Sequence, residues 1–141
     1  DDNQGRTTMR GLTAVVIYLL CSYLLLLAYA GPRIPISVLT KKPMDSWERT
    51  KTPTDSAFFL RAKGAHLNCV ENFQYFAGLV CVAMLMGKGG VVDELAAYVV
   101  YLRIAQSTVH LIGATPSLVL VRASFFTAQV LMILYMALKL V

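Results

Sequence analysis

Charged residues are scarce in this sequence, where they make up 15% of 141 positions while apolar residues make up 57%. The mean hydropathy is +0.60. A soluble domain of this size carries more charge on its surface and fewer apolar residues overall. The composition therefore argues against a soluble protein and predicts an integral membrane protein.

Cysteine is also rare, and what there is does not form a recognisable pattern. The three cysteines, Cys21, Cys69 and Cys81, are odd in number, include no C-x-x-C pair and lie within apolar runs. This argues against a disulfide framework and against a zinc or other metal site. We interpret them as small apolar residues of a protein core.

The sequence does contain four long apolar stretches, and each reaches the ~20 residues needed to cross a bilayer as a helix. They cover residues 11–30, about 57–86, about 91–112 and 117–141. The first follows Arg6 and Arg10, as a signal peptide would, but it is too long and lacks a convincing cleavage site. The short later connections predict an all-α, up-down four-helix membrane bundle. The polar segment 31–55 is predicted to be a connector within a single domain spanning residues 1–141.

The distribution of Lys and Arg predicts how the bundle is oriented. Seven lie in or next to the first loop: Arg33, Lys41, Lys42, Arg49, Lys51, Arg61 and Lys63. Four lie on the opposite side: Arg6, Arg10, Lys88 and Lys139. Since cytoplasmic loops carry the excess of positive residues, the first loop is predicted to face the cytoplasm and both termini to face away from it. The net charge of +5 then has a membrane explanation, and no nucleic-acid partner is predicted.

Polar residues within the last three stretches fall in the half nearest the first loop, where ionisable groups are costly and usually functional. Positions three, four or seven apart share a helix face. Three stripes result: Asn68, Glu71 and Tyr75; Arg103, Gln106 and His110; Arg122, Phe126 and Gln129. We expect them to line one polar pocket. Its excess of arginine suits an anionic ligand, because guanidinium groups bind carboxylates through paired hydrogen bonds.

Structural roles are the alternative for several of these residues. Arg61 lies near a helix end, from which its side chain can reach the head groups. Glu71 can form an ion pair with Arg103 or Arg122 that only fixes helix packing. His66 is rotated by about 200° from Asn68, and so is placed to face another helix or subunit.

The run R-A-x-x-A-H-x-N-x-x-E-x-x-x-x-F, from Arg61 to Phe76, resembles the second helix of the MAPEG family, membrane-associated proteins in eicosanoid and glutathione metabolism. Four helices, a long first loop, Arg103 and Arg122 extend the resemblance over the chain. It implies a homotrimer in membrane lipid, with glutathione as co-substrate bound between subunits and a lipophilic second substrate. Arg122 would be catalytic and stabilise the glutathione thiolate. The implied glutathione-binding residues are Asn68, Glu71, Arg103, Arg61, Gln106, His66, Tyr75 and Arg33.

Two positions depart from the family pattern. Many eicosanoid-pathway members carry an arginine where this chain has Gly64, and several carry a tyrosine where it has Phe126. The first hypothesis is a glutathione transferase or peroxidase acting on lipophilic electrophiles or lipid hydroperoxides, which the intact polar set favours. The second, which the departures favour, is a non-catalytic structural or lipid-binding subunit of a larger membrane complex. A channel is less favoured, because no acidic or histidine row spans both leaflets.

Overall fold

The computed structural model describes residues 2–141, and describes the side chains of residues 10–141. Within that part of the chain all regular structure is helical, which confirms the prediction of an all-α protein with four long helices. The helices are α1 (Asp2–Ala30), α2 (Arg33–Thr40), α3 (Ala57–Leu85), α4 (Gly89–Ile112) and α5 (Pro116–Leu140), with a 3₁₀ turn at Met44–Trp47.

Helix α1 packs against α3 and α4, whereas α5 packs mainly on α4 and touches α3 less. The core contains the fully buried side chains of Tyr18, Phe76 and Met136. Small buried residues let the helices approach closely, as in other membrane bundles; they are Ala62, Ala65, Ala83 and Ala96. Helix α5 buries only three of its residues, Gln129, Met136 and Leu140.

Three stretches of the described chain are long and apolar enough to cross a membrane, judged by length and composition: Arg10–Thr40, Gly89–Ile112 and Pro116–Leu140. Helix α3 has 29 residues and is also long enough. Its first half contains several polar residues, and it is not among these three stretches.

The helix ends follow local chemistry. The Ser56 hydroxyl accepts a hydrogen bond from the Phe59 N–H at 3.4 Å and caps α3, and Thr115 caps α5 ahead of Pro116. Both caps satisfy an N–H that has no partner within its own helix. Against the predicted bounds, α1 begins at Asp2 rather than Gly11, α4 begins two residues earlier, and α3 and α5 each end one residue earlier.

The predicted connector 31–55 contains regular structure that its polar composition does not predict. Helix α2 and the 3₁₀ turn both lie within it. Pro35 is the third residue of α2. In the first turn of a helix a missing N–H costs little, so proline is tolerated there.

Candidate functional site

A cavity of about 260 Å³ lies between α3, α4 and α5. Its polar lining comes from one residue of α3, two of α4 and one of α5: Asn68, Gln106, His110 and Arg122. Its apolar lining consists of Val119, Ala123 and Phe126. The structure thus brings together members of all three polar stripes.

The cavity lies in the half of the bundle nearest the first loop. At 1.5 Å of rise per residue, Gln106 is roughly 9 Å from the end of α4 and Arg122 roughly 9 Å from the start of α5. Asn68 is roughly 16 Å from the start of α3. In helices that cross a bilayer, these distances place all three groups below the head groups.

A buried pair of amides anchors one wall of the cavity. The Gln129 Nε2 donates to Gln106 Oε1 at 2.9 Å and to the Phe125 carbonyl at 3.1 Å. Gln106 and Gln129 are 3% and 1% exposed. The Gln129 side chain on α5 therefore holds the Gln106 side chain of α4 in place at the cavity.

His110 packs directly on the backbone of α3 at Gly64. A Cβ added to Gly64 would lie 3.1 Å from His110 Nε2 and 3.2 Å from its Cε1. The His110 Nδ1 is buried and makes no hydrogen bond to any described residue. Nearby, the Arg61 Nε donates to the Leu111 carbonyl at 2.9 Å. Arg61 therefore joins α3 to the end of α4 rather than lining the cavity.

Arg103 does not line the cavity either, because it is buried one turn along α4 from Gln106 and faces α1. It is 2% exposed, and its guanidinium carbon lies 5.4 Å from the centre of the Tyr18 ring. Its Nε and Nη1 make no hydrogen bond to any described residue. Arginine donors left unpaired in an apolar interior are costly, which is the condition expected of a group that receives an anion.

Glu71 and Tyr75 do not line the cavity. Both are exposed on α3 in the single chain, with Tyr75 at 63%. The alternative of an ion pair between Glu71 and either arginine has no support, because the three ion pairs among the described side chains all lie in the first loop.

His66 and Arg33 lie outside the cavity as well. His66 Nδ1 is 3.0 Å from the Ser22 carbonyl oxygen, and its ring is 5.7 Å from that of Tyr29. It thus faces α1, in agreement with its angular offset from Asn68. Arg33 lies in the first loop, with an Nη2–Oδ2 distance of 3.9 Å to Asp55.

Two residues of this site were expected in the polar pocket from their stripes but were not among the implied glutathione-binding residues. His110 belongs to the same stripe as Arg103 and Gln106, and that periodicity was the available signal. Gln129 likewise belongs to the stripe of Arg122. The contact between His110 and Gly64 has no sequence signal, because it depends on how closely α3 and α4 approach.

The MAPEG family model matches residues 11–141, nearly the whole chain. The chain belongs to the MAPEG family, and its three long apolar helices agree with an integral membrane protein. Membership places it among membrane proteins related to glutathione and eicosanoid metabolism, a family that generally uses glutathione. Comparisons with curated proteins and with solved structures found no match.

Proposed function

We propose that this protein is a membrane glutathione transferase or peroxidase that acts on lipophilic electrophiles or lipid hydroperoxides. The observation that carries the proposal is the cavity in which Asn68, Gln106, His110 and Arg122 converge from three helices. Family membership supports glutathione as the ligand.

Arg122 is the residue proposed to act on the sulfur. It is half-buried and lines the cavity together with Val119, Ala123 and Phe126. Apolar walls lower the local dielectric and strengthen the attraction between a guanidinium and a thiolate. Since the thiolate is the reactive form, a nearby cation raises its population at neutral pH. Phe126 has no hydroxyl to donate, so Arg122 is the one polar side chain that α5 contributes to the cavity lining.

The remaining polar groups suit the peptide part of glutathione. The Asn68 and Gln106 amides can each donate to and accept from a peptide group. Arg103 does not line the cavity, but it lies one turn deeper on α4, and a carboxylate that reached it would satisfy its unpaired N–H donors. We propose these three as binding residues, while His66 and Arg61 act in helix packing, since each bonds to a backbone carbonyl of a neighbouring helix.

The proposed chemistry starts from the bound thiolate. In transfer, a lone pair of the sulfur forms a bond to an electrophilic carbon. In a substitution the leaving group departs with its electron pair, and in an addition to a double bond the resulting carbanion takes up a proton. In peroxide reduction, the thiolate sulfur attacks the terminal oxygen of the hydroperoxide, the O–O bond breaks, and the departing lipid alkoxide takes up a proton to become the alcohol. The resulting sulfenic acid then reacts with a second glutathione, giving a disulfide and water.

We propose that neighbouring subunits of a homotrimer complete the site. Complete small-molecule pockets usually measure ~300–1,000 Å³, so the cavity of one chain, at about 260 Å³, is smaller than a complete pocket. Glu71 is exposed on a helix at membrane depth, and a charge facing lipid there costs at least a few kcal/mol. A neighbouring subunit that covers Glu71 and Tyr75 would remove this cost and bring both side chains to the edge of the ligand.

The second candidate function is a non-catalytic MAPEG-like subunit of a larger membrane complex. Phe126 in the cavity wall favours it, because that wall offers no hydroxyl to the sulfur. In that case the cavity would bind glutathione or lipid without turnover.

Calorimetry in detergent tests binding. Wild type should bind glutathione, Arg122→Ala should bind several-fold more weakly, and Lys139→Ala should bind as wild type does. Lys139 is a charge-matched control, since it is an exposed residue of the same helix. Binding that is absent, or indifferent to Arg122, would eliminate the proposal.

Turnover of a lipid hydroperoxide separates the enzyme from the non-catalytic subunit, and native mass spectrometry tests the trimer.

A further inference from the structure

The first loop contains a second polar pocket, separate from the cavity described above. It measures about 110 Å³ and lies between the start of α2, the 3₁₀ turn and the start of α3. Its lining includes Arg33, Ser46, Arg49, Lys51 and Lys63. None of these residues lines the α3–α5 cavity.

The pocket is built around a fixed aromatic residue. The Trp47 Nε1 donates to Asp55 Oδ1 at 2.6 Å. The guanidinium carbon of Arg33 lies 5.6 Å from the centre of the Trp47 ring, and Lys42 Nζ lies 4.7 Å from it. Cations over an aromatic ring are held by its quadrupole. These contacts join the 3₁₀ turn to the start of α2 and to the segment just before α3.

Two donors in this pocket are left without partners. Arg33 Nε and Ser46 Oγ are both buried, and neither makes a hydrogen bond to a described residue. Buried donors are normally satisfied. A ligand that presents several acceptor oxygens to this pocket would satisfy both.

The charges in the pocket favour an anion. Arg33 and Lys42 share one carboxylate, that of Asp55. Lys51 is paired with Asp45, and its hydrogen bond and charge lower the pKa of that carboxyl. Two further basic residues, Arg49 and Lys63, line the pocket. Glu48 is the one further acidic residue of the lining. Positive charge is in excess.

The pocket also lies where a membrane surface is expected. The loop connects the end of α1 at Ala30 to the start of α3 at Ala57. Helix α2 exposes Ile34, Val38 and Leu39, which are 65%, 74% and 82% exposed and lie on one side of the helix. An exposed apolar face beside basic residues is typical of a helix that lies in the head-group region.

We propose that this loop pocket binds the phosphate group of an anionic membrane phospholipid, whose acyl chains lie beside the apolar face of α2. The volume equals about three to four times the ~30 Å³ share of one water molecule, which suits a phosphate group but not an entire lipid head group with a large substituent. The exposed face of α2 favours a lipid over soluble phosphate as the source, because free phosphate would leave that face uncovered.

The test is native mass spectrometry of the delipidated full chain in detergent, titrated with phosphatidylglycerol or phosphatidylcholine. We expect stronger retention of phosphatidylglycerol. Removing one basic side chain near an anionic lipid surface weakens attraction by about fivefold, and we expect Lys63→Gln and Arg49→Gln each to lower retention by that factor. Lys41→Gln is the matched control, since Lys41 lies in the same loop outside the pocket lining and should leave retention unchanged. Ser46→Ala, which keeps the charge, should also lower retention.

Three results would overturn the proposal. Equal retention of the two lipids would remove the preference for an anion. An equal loss in Lys41→Gln would mean diffuse surface charge instead of a pocket. Displacement of phosphatidylglycerol by millimolar inorganic phosphate would identify soluble phosphate as the ligand. Unchanged fluorescence of Trp47, the single tryptophan of the chain, verifies that each variant keeps the loop fold.

Discussion

Gly64→Ala tests the contact between α3 and His110. The added methyl carbon would lie 3.1 Å from His110 Nε2 and 3.2 Å from Cε1, closer than ordinary van der Waals contact. The imidazole must therefore shift by a few tenths of an ångström. Since His110 lines the cavity, the substitution changes the cavity without altering any of its polar groups.

The magnitude follows from two opposing effects. Overpacking a well-packed contact typically costs about 1–3 kcal/mol, while replacing glycine by alanine within a helix returns about 1 kcal/mol. We expect a net loss of about 0–2 kcal/mol in the free energy of unfolding. If the displaced ring loses one hydrogen bond to glutathione, affinity falls by about 0.5–1.5 kcal/mol, or roughly two- to tenfold.

A double-mutant cycle with His110→Ala provides the assay. Glutathione affinity is measured by calorimetry for both single variants and for the double variant. Once the imidazole is absent, the Gly64→Ala methyl has space, so in that background it should not weaken binding further. Gly78→Ala is the control, because a Cβ there meets no atom within 4 Å and binding should stay unchanged. Additive losses of Gly64→Ala and His110→Ala would refute the proposed contact.

Gln129→Leu should lower the free energy of unfolding by about 1–2 kcal/mol, because the buried Gln106 oxygen loses its donor. Denaturant titration in detergent measures this loss. Thr127→Val, on the exposed side of α5, is the control and should cost less. An equal cost for both variants would contradict the buried amide pair. Asp55→Ala should increase quenching of Trp47 fluorescence by a soluble quencher, because the indole N–H loses its acceptor. Asp55→Asn keeps an acceptor oxygen and should increase quenching less; equal effects would mean that the hydrogen bond does not hold the indole.

Helix periodicity and composition predicted much of this structure. The four long helices follow from apolar length, and Pro116 marks the start of α5 as its fixed φ angle suggests. Asn68, Gln106 and Arg122 were predicted to lie close together from angle and depth alone, and all three line one cavity. These features depend on local geometry, which the sequence specifies directly.

The remaining features depend on packing between distant segments. A helical wheel places Glu71 near Asn68 in angle, but it does not say which neighbour covers that face, and in the single chain nothing does. The Arg33–Asp55 pairing joins residues more than twenty positions apart in a loop without periodicity. Gly64 was noted only as a missing arginine, whereas the structure shows that its lack of a side chain accommodates His110.

The central claim is that Arg122 stabilises the thiolate of glutathione bound in the α3–α5 cavity. The most direct measurement is the ultraviolet absorbance of bound thiolate, recorded against pH at saturating glutathione for wild type, Arg122→Ala and the control Lys139→Ala. A cation favours the charged form of the thiol, so the pKa of bound glutathione should be below that of free glutathione in wild type and Lys139→Ala. In Arg122→Ala it should rise towards the free value. An unchanged pKa in Arg122→Ala, with glutathione still bound, would contradict the account.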